Sequence, residues 1–461
     1  MSTPIEAVEA YLERTQDERL RDYIEFLEIP TVGSLPEHAD DMARGADWLA
    51  GRMRDIGLEH VEISPTGGNP VVYADWLHAE GAPTVVVYAH YDVQPVDPLE
   101  LWVRPPFEPR VEHGRVYARG AADDKGQVHL HLWAARAWLQ AAGRLPLNVR
   151  YVFEGEEEDG SPNFEAWLKA NVERLGGELV VVSDTGFYEG NHPALTISLR
   201  GNVYLQVDVH GPSQDLHSGG FGGMVQNPAN ALTRIVASLR DDEGRVTVPG
   251  FYDEAPVLSD EERAEFHRLP FDEAEFAQGI GVPRLFGEPG FSPLERKGMR
   301  PTLDVCGIWA GYTGEGSKTI IPAHAHAKIS CRLAPGMDPK RTFGHVRDAI
   351  MAVDVPGVEV EVRQLDEMWP FVVSPEHPAA RTAAACLKDV FGQDPYHVSE
   401  GGSIGAVASF DKVLGLPIVL LGFTNPDDNA HSPNESMVLA NYEGGARTIA
   451  RYWEALSSGR R

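Results

Sequence analysis

A run of acidic residues directly behind a strand-like segment limits the folds open to this 461-residue chain. The segment Leu147–Phe153 ends in the apolar residues Y-V-F, and E-G-E-E-E-D-G-S follows before a helical pattern begins at about Pro162. Crowded carboxylates repel one another unless cations or solvent compensate them. A solvated turn would explain this run if it stood alone. In an open α/β sheet, however, ligand sites gather where strands end.

A histidine and an aspartate occupy a second strand exit. The run Thr84–Ala89, T-V-V-V-Y-A, is almost wholly β-branched or aromatic, as expected of a central strand covered on both faces. His90 and Asp92 follow it, and side chains two residues apart on an extended backbone point the same way. The Asp92 carboxylate can then hold one imidazole nitrogen while the other faces a metal ion. A loop histidine with a chance neighbour is the alternative.

Two further exits carry aspartate. Asp123 and Asp124 stand between glycines at the start of a predicted helix that ends at about Ala142. A helix cap would explain one of these aspartates but not the pair. Asp184 follows the apolar strand Glu178–Val182. Independent solvated turns are a poor explanation of all four exits together.

The composition argues against several kinds of partner. A net charge of -29 disfavours binding to nucleic acid or to an anionic membrane. No apolar run is long enough to cross a bilayer, and the first ten residues lack the basic start and apolar core of a secretion signal. Cys306, Cys331 and Cys386 fit neither a disulfide framework nor a zinc–thiolate site. We therefore expect a cytoplasmic protein with reduced thiols.

The apolar patterns predict a discontinuous first domain with a second domain inserted in it. Residues 1–200 and 373–461 have the α/β pattern of a mostly parallel mixed sheet flanked by helices. Residues 201–372 instead predict a small α+β domain with one exposed sheet face. Its predicted strands and helices are Asn202–His210, Pro228–Leu239, Ala323–Leu333, Phe343–Val353 and Val358–Arg363. Within it, residues 241–300 are rich in proline, glycine and charge and predict only one short helix.

Collected together, the exits and loops of the first domain offer a set of residues that can bind metal or move protons. They are His90, Asp92, Asp123, Glu157, Glu158, Asp184 and His431. Two histidines and several carboxylates without cysteine suit a pair of Zn²⁺ or Mn²⁺ ions with one bridging carboxylate. A carboxylate that is not a ligand can take a proton from an activated water.

Nine motifs in a fixed order carry a resemblance to a known enzyme family. They are H-Y-D-V-Q-P, G-A-A-D-D-K-G, F-E-G-E-E-E-D-G-S, S-D-T-G, H-S-G-G-F-G-G, G-E-G-S-K-T-I-I-P, C-R-L-A-P-G, E-G-G-S-I and N-A-H-S-P-N-E. From about Asp17 to Ala455 the chain resembles the di-metal aminoacylase/carboxypeptidase G family, and most closely its carnosinase-like cytosolic nonspecific dipeptidase branch. The resemblance implies a di-zinc exopeptidase-like catalytic domain and an inserted lid and dimerisation domain.

The resemblance also implies metal ligands in the first domain. His90 and Asp184 would bind one ion, and Glu158 and His431 the other. Asp123 would bridge the two ions, with a cis peptide bond following it. Zn²⁺ is the expected ion, and Mn²⁺ or Co²⁺ would accept the same ligands.

Two further roles in the first domain follow from the resemblance. Asp92 would orient the first histidine ligand. Glu157 would be the general base that activates the water and later protonates the leaving amine. The run of acids leaves Glu156 as a competitor for this role, because the register is open by one position. The family pattern of two glutamates, one residue and then G-S favours Glu157.

The inserted domain contributes residues of another kind. His217 matches a family histidine that crosses to the partner subunit and stabilises the oxyanion, which implies a homodimer. Arg332 matches the residue that binds the free carboxylate of the substrate, a task suited to a guanidinium. Thr319, Ser403 and the Gly402 backbone match smaller contacts to substrate. Without the resemblance, His217 would be interpreted as an ordinary surface histidine.

The implied activity is hydrolysis of small peptides with a free C-terminal carboxylate by a cytoplasmic di-metal dipeptidase. Two alternatives remain open at this point. An N-acyl-amino-acid deacylase or desuccinylase would use the same metal site with another substrate pocket. A relative without activity would bind peptide or metal without turnover, because a fold does not guarantee a function.

Overall fold

A computed structural model describes residues 3–459 and divides the chain into two units. The first unit comprises the residues up to Ile197, Val373–Val398 and the residues from Ile404 onward. The second unit comprises Ser198–Val372 and Ser399–Ser403. None of the described helices is both long and apolar enough to cross a membrane.

The first segment begins with three helices and five strands, and helix and strand alternate only after them. Its elements are α1 (Pro4–Arg14), α2 (Gln16–Leu27), α3 (Ala39–Ile56), β1 (Glu59–Ser64), β2 (Val71–Trp76), β3 (Thr84–His90), β4 (Arg110–Glu112), β5 (Arg115–Tyr117), α4 (Lys125–Ala142), β6 (Asn148–Glu154), α5 (Phe164–Asn171), β7 (Leu179–Val182) and β8 (Ala194–Leu199).

The second unit supplies the next elements. They are β9 (Gly201–His210), β10 (Leu216–His217), α6 (Ser218–Phe221), α7 (Pro228–Ala237), α8 (Asp260–Arg268), α9 (Glu273–Gly279), α10 (Pro293–Met299), β11 (Thr302–Ala310), β12 (Ile320–Ile321), β13 (His324–Leu333), α11 (Pro339–Met351), β14 (Glu359–Met368) and β15 (Phe371–Val372).

The remaining elements follow Val373. They are α12 (Pro378–Phe391), β16 (Tyr396–Glu400), α13 (Gly405–Leu414), β17 (Ile418–Leu420), β18 (Ser436–Val438) and α14 (Leu439–Ser457).

The main sheet of the first unit has the strand order β1-β2-β6-β3-β7-β17-β8. The four central strands β6, β3, β7 and β17 are parallel, whereas β1, β2 and β8 pair antiparallel with their neighbours. Val85–His90 in β3 and all of β7 are buried, because the central strands of a parallel sheet are covered on both faces. The predicted α/β class, with a large mixed sheet flanked by helices, is confirmed.

The second unit has an antiparallel sheet of order β11-β13-β9-β14. Alternate residues of β9, such as Val203 and Val207, form a core with Leu232 of α7 and Val346 of α11. The opposite sheet face carries polar side chains of β9 and β13, such as Gln206, Asp208 and His326, together with a few aromatic ones. Three strands were predicted for this sheet, and it has four. The strand β11 was missed because a register shift between Val305 and Gly307 interrupts the alternation of its side chains.

Candidate metal centre

Three strand ends bring acidic and histidine side chains to one edge of the main sheet. His90 is the last residue of β3, Glu157 and Glu158 follow β6 in a short 3-10 helix, and Asp184 lies just beyond β7. β6, β3 and β7 are neighbours in the sheet. Because parallel strands end at the same edge, the loops that follow them meet there.

Asp123 reaches the same edge from the turn before α4. Its peptide bond to Asp124 is cis, as the resemblance implied. Asp124 Oδ2 accepts a hydrogen bond from the backbone N–H of His90 at 3.1 Å, and its Oδ1 accepts one from Gln127 Nε2 at 2.8 Å. These bonds tie the turn to the end of β3 and fix the position of Asp123 beside it.

The side chains form two groups of three, and in each group one ligand atom per residue lies within 4.8 Å of the others. The groups are His90, Glu157 and Asp184, and Asp123, Glu158 and His431. Asp123 has its Oδ1 3.0 Å from His90 Nε2 and its Oδ2 2.9 Å from His431 Nε2. One carboxylate oxygen of Asp123 therefore faces each imidazole, and this side chain connects the two groups.

Asp92 holds both the histidine and the glutamate loop. Its side-chain Oδ1 lies 3.4 Å from His90 Nδ1, and its backbone oxygen lies 3.1 Å from the same nitrogen. The carboxylate also accepts hydrogen bonds from the backbone N–H of Glu157 at 3.2 Å and of Glu158 at 3.0 Å. Asp92 is fully buried. It therefore positions the two strand exits relative to each other.

The neighbouring acids of the run differ in their surroundings. Glu156 accepts hydrogen bonds from the backbone N–H of Asn69 at 3.0 Å and from Asn163 Nδ2 at 3.0 and 3.1 Å. These bonds hold its carboxylate in the surrounding loops. Glu157 instead belongs to the group that contains His90 and Asp184.

Negative charge exceeds positive charge in this centre. Burial, and then the nearby Asp184, raises the pKa of Glu157 well above its usual value. Burial, and then Asp123, raises the pKa of Glu158 to about 7. Glu158 Oε1 is also buried without a hydrogen-bond partner among the described residues. Divalent cations would supply both the missing charge and the missing partner, so the donor set fits metal ions.

The other predicted residues belong to the second unit and form two sets there. Arg332 Nη1 donates a hydrogen bond to Ser403 Oγ at 3.2 Å, and Gly402 precedes that serine. His217 pairs with Ile320 in the ladder of β10 and β12, next to Thr319. Gly219 N–H donates to His217 Nδ1 at 2.9 Å, so a neutral imidazole here carries its proton on Nε2.

The model of Peptidase family M20/M25/M40 matches residues 86–455 of the chain. This chain belongs to that family. The matched range includes every residue of the two groups and the five predicted residues of the second unit.

Among relatives of this M20/M25/M40 peptidase, the Cys-Gly metallodipeptidase DUG1 of Candida albicans is 30% identical over 445 residues, with 92% of this chain and 91% of the relative covered. The Beta-Ala-His dipeptidase of Rattus norvegicus is 28% identical over 473 residues, with coverages of 99% and 96%. The solved structure of the di-peptidase Dug1p from Saccharomyces cerevisiae has a TM-score of 0.84 at 27% identity and covers 100% of both chains.

The family's H-S-P-N-E motif contains a residue whose role was not predicted. Glu435 is fully buried, and its carboxylate accepts backbone hydrogen bonds from Gly120 at 3.0 Å, Ala122 at 2.9 Å and Asp123 at 3.0 Å. It also accepts one from Arg119 Nη1 at 2.7 Å. Glu435 therefore fixes the turn that carries Asp123. Its place in the same motif as His431 was the available signal.

Proposed function

We propose that this M20/M25/M40 peptidase is a metal-dependent dipeptidase that hydrolyses small peptides with a free C-terminal carboxylate. The observation that carries the proposal is the pair of histidine–carboxylate groups, in which Asp123 lies between two imidazoles and Glu157 lies with His90 and Asp184. The names of the relatives, Cys-Gly metallodipeptidase and Beta-Ala-His dipeptidase, support the same activity.

The proposed ligands divide between two ions. His90 and Asp184 would hold one, Glu158 and His431 the other, and Asp123 both. Two bound divalent ions would polarise the scissile carbonyl and lower the pKa of the attacking water. Zn²⁺ is our expected ion, and oxygen and imidazole donors of this kind also accept Mn²⁺ and Co²⁺.

Glu157 is the proposed general base. It would accept a proton from the attacking water and then deliver it to the nitrogen of the leaving amine. Burial, and then Asp184, raises its pKa above the usual value of a glutamate, which makes the carboxylate a stronger base towards the water. Asp92 would keep Glu157 and His90 in place through the bonds described above.

Residues of the second unit would recognise the ends of the substrate. The Arg332 guanidinium has no carboxylate within 4.0 Å among the described residues, so it is available to a substrate carboxylate. Ser403, the Gly402 backbone and Thr319 would add shorter polar contacts. The proposal takes residues 201–372 as the inserted lid and dimerisation domain, between catalytic parts 1–200 and 373–461.

His217 would act in the active site of a second subunit. Its side chain is exposed, and its Nε2 is the donor that an oxyanion requires. The proposal therefore includes a homodimer. It also places the protein in the cytoplasm. Mixing a His217→Ala chain with a Glu157→Gln chain tests this, because one site of each mixed dimer would regain both residues. Recovery of activity on mixing supports the crossed arrangement, and its absence contradicts it.

The activity itself is tested with metal-stripped protein to which Zn²⁺ or Mn²⁺ is added back. The substrates are dipeptides, their C-terminal amides, a tripeptide, and N-acetyl and N-succinyl amino acids. We expect metal-restored cleavage of the dipeptides and resistance of the amides. Preferential cleavage of the N-acyl compounds would move the protein to the deacylases, and no turnover of any substrate would contradict the proposal.

A further inference from the structure

A cavity of about 350 Å³ lies within the second unit. Most of its lining residues belong to or directly follow the segment 241–300, to which the proposed function assigns no role. Its lining includes five cationic side chains, those of Arg200, Arg240, Arg296, Lys297 and Arg300. The lining includes only two acidic side chains, Glu288 and Asp304. This excess of positive charge stands out in a chain with a net charge of -29.

Three of the cations already have carboxylate partners. Arg300 forms a two-point contact with Glu288 at 2.8 and 2.7 Å. Arg240 Nη1 lies 3.3 Å from Asp304 Oδ1. Lys297 Nζ lies 2.8 Å from Glu400, which is itself outside the lining. These ion pairs stabilise the wall of the cavity. The excess positive charge therefore belongs to the two remaining guanidinium groups, those of Arg200 and Arg296.

Arg200 and Arg296 have no carboxylate within 4.0 Å among the described residues. Arg200 donates only to backbone oxygens, those of Gly401 at 3.2 Å and of Arg296 and Arg300 at 3.4 Å. Burial, and then Arg332, lowers the pKa of Arg200 to about 10, which leaves it charged at neutral pH. The Arg296 side chain is half-buried and has no hydrogen-bond acceptor in the part of the chain described.

The same cavity has an apolar side. Phe286 and Phe276 line it and are 61% and 41% exposed. The absence of a side chain at Gly244 and Gly287 leaves room for the Phe286 ring and the Arg296 guanidinium. A Cβ at Gly244 would lie 2.9 Å from a Phe286 ring carbon, and a Cβ at Gly287 would lie 2.7 Å from Arg296 Nη1. Exposed rings next to uncompensated guanidinium groups are suited to a ligand that is apolar at one end and anionic at the other.

We propose that this cavity binds a small organic anion, with a carboxylate or phosphate group at Arg296 and Arg200 and an apolar or aromatic body against Phe286. The volume falls in the range of small-molecule sites. Arg332, the proposed ligand of the substrate carboxylate, is not among the lining residues. The site therefore does not include Arg332, although Arg200 adjoins the proposed substrate contacts because its backbone oxygen accepts a hydrogen bond from Ser403 Oγ.

Calorimetric titration of the metal-loaded protein tests the proposal with phenyl phosphate, 3-phenylpropionate and inorganic phosphate. We expect one equivalent of phenyl phosphate or phenylpropionate to bind per chain, with inorganic phosphate weaker because it lacks the apolar body. Arg296→Gln should weaken the aromatic probes about tenfold or more, as expected for loss of a charged hydrogen-bond donor. The tighter aromatic probe identifies the preferred anionic group.

Two further variants separate this site from other anion sites. Phe286→Ala should weaken the binding of both aromatic probes and leave that of inorganic phosphate unchanged, and the fold should be preserved because this side chain is exposed. Arg347→Gln, which removes an exposed arginine of α11 paired with Asp348, is the matched control and should change nothing. Absence of binding at about 5 mM probe overturns the proposal. Binding that survives Arg296→Gln but is lost in Arg332→Gln overturns it as well.

Discussion

Histidine and carboxylate side chains meet both in the metal centre of the first unit and in the Asp208 cluster of the second unit, but the balance of positive and negative charge is opposite in the two places. The Asp208 cluster consists of Asp208 with Gln206, His326 and Arg363. Asp208 accepts hydrogen bonds from Gln206 Nε2 at 2.7 Å and Arg363 Nη2 at 2.9 Å, and its Oδ1 lies 2.5 Å from His326 Nδ1. One carboxylate therefore has three partners, two of which can carry positive charge.

In the metal centre the proportion is reversed. Several carboxylates, including Asp123, Glu157 and Glu158, share two imidazoles. Burial raises the pKa of Glu157 and Glu158, whereas burial of Asp123 is outweighed by the two imidazoles, which lower the pKa of that carboxyl. Burial opposes ionisation of Asp208, but its hydrogen-bond partners outweigh it and lower the pKa to about 2, whereas the pKa of Glu158 rises to about 7. A compensated histidine–carboxylate cluster supports structure, and an uncompensated one needs a cation.

The largest effect should come from Glu157→Gln. If Glu157 moves the proton, the glutamine amide of the variant cannot accept it, and kcat for dipeptide hydrolysis should fall by about 10²- to 10⁴-fold. Metal content, measured by elemental analysis, should stay the same. Glu156→Gln is the matched control and should cost much less, because its carboxylate bonds Asn69 and Asn163 instead. Full activity of Glu157→Gln would show that another group is the base.

Glu435→Gln should weaken metal binding about 10- to 100-fold, because it loosens the turn that positions Asp123. Titration of metal into stripped protein measures this directly. Arg119→Gln is the control, since it removes the cation but keeps the carboxylate on its three backbone donors. Equal losses of affinity in the two variants would mean that the buried ion pair, rather than the turn, supports the centre.

The pH dependence of stability should differ between metal-free and metal-loaded protein. A carboxyl whose folded pKa is raised binds more protons when folded, so its contribution to stability is lost as pH rises from its unfolded pKa through the folded one. Glu158 follows this rule between about pH 4.5 and 7. The Tm of the metal-free protein should therefore fall by a few degrees between pH 5 and 8.

Added Zn²⁺ or Mn²⁺ should reduce this decline, because the cations stabilise the ionised carboxylates of the centre. The double variant with Glu157→Gln and Glu158→Gln should remove the part of the decline that these two carboxyls cause, and burial of Glu154 and Asp428, which raises their pKa to about 8 and about 7, should preserve the rest. Differential scanning fluorimetry across this pH range is sufficient for both comparisons. A metal-free Tm that rises with pH would contradict the charge excess assigned to the centre.

The buried strands and their exits could be predicted because both leave local patterns. The apolar runs that form β3 and β7 are typical of buried central strands. The residues that follow them lie at one edge of the sheet because the two strands are parallel. The strand β11 could not be predicted, since its bulge near Cys306 changes the face that successive side chains occupy. Alternation is a reliable signal only when the register is continuous.

The roles of individual acidic residues can be assigned only from contacts between distant parts of the chain. Glu156 and Glu157 are chemically identical neighbours, and only the bonds from Asn69 and Asn163 separate them. Glu435 lies more than 300 residues from the turn that it holds, so no local pattern could reveal that contact. Sequence therefore predicted which residue types gather, and the structure distinguishes those that face the centre from those that support it.

The smallest effect should come from the Asp208 cluster, and it sharpens the comparison by being independent of metal. Asp208→Asn should lower the free energy of unfolding by about 1–2 kcal/mol at pH 7, since hydrogen bonds to charged groups are weakened and Arg363 is partly solvated. Because the folded pKa of Asp208 lies below its unfolded value, this stabilisation is present above about pH 4 and is lost as pH falls towards 2. Urea unfolding at pH 7 and pH 3 should show the difference between variant and parent shrinking. The loss should be equal in metal-free and metal-loaded protein, and a loss that depends on metal would mean that the two clusters are coupled.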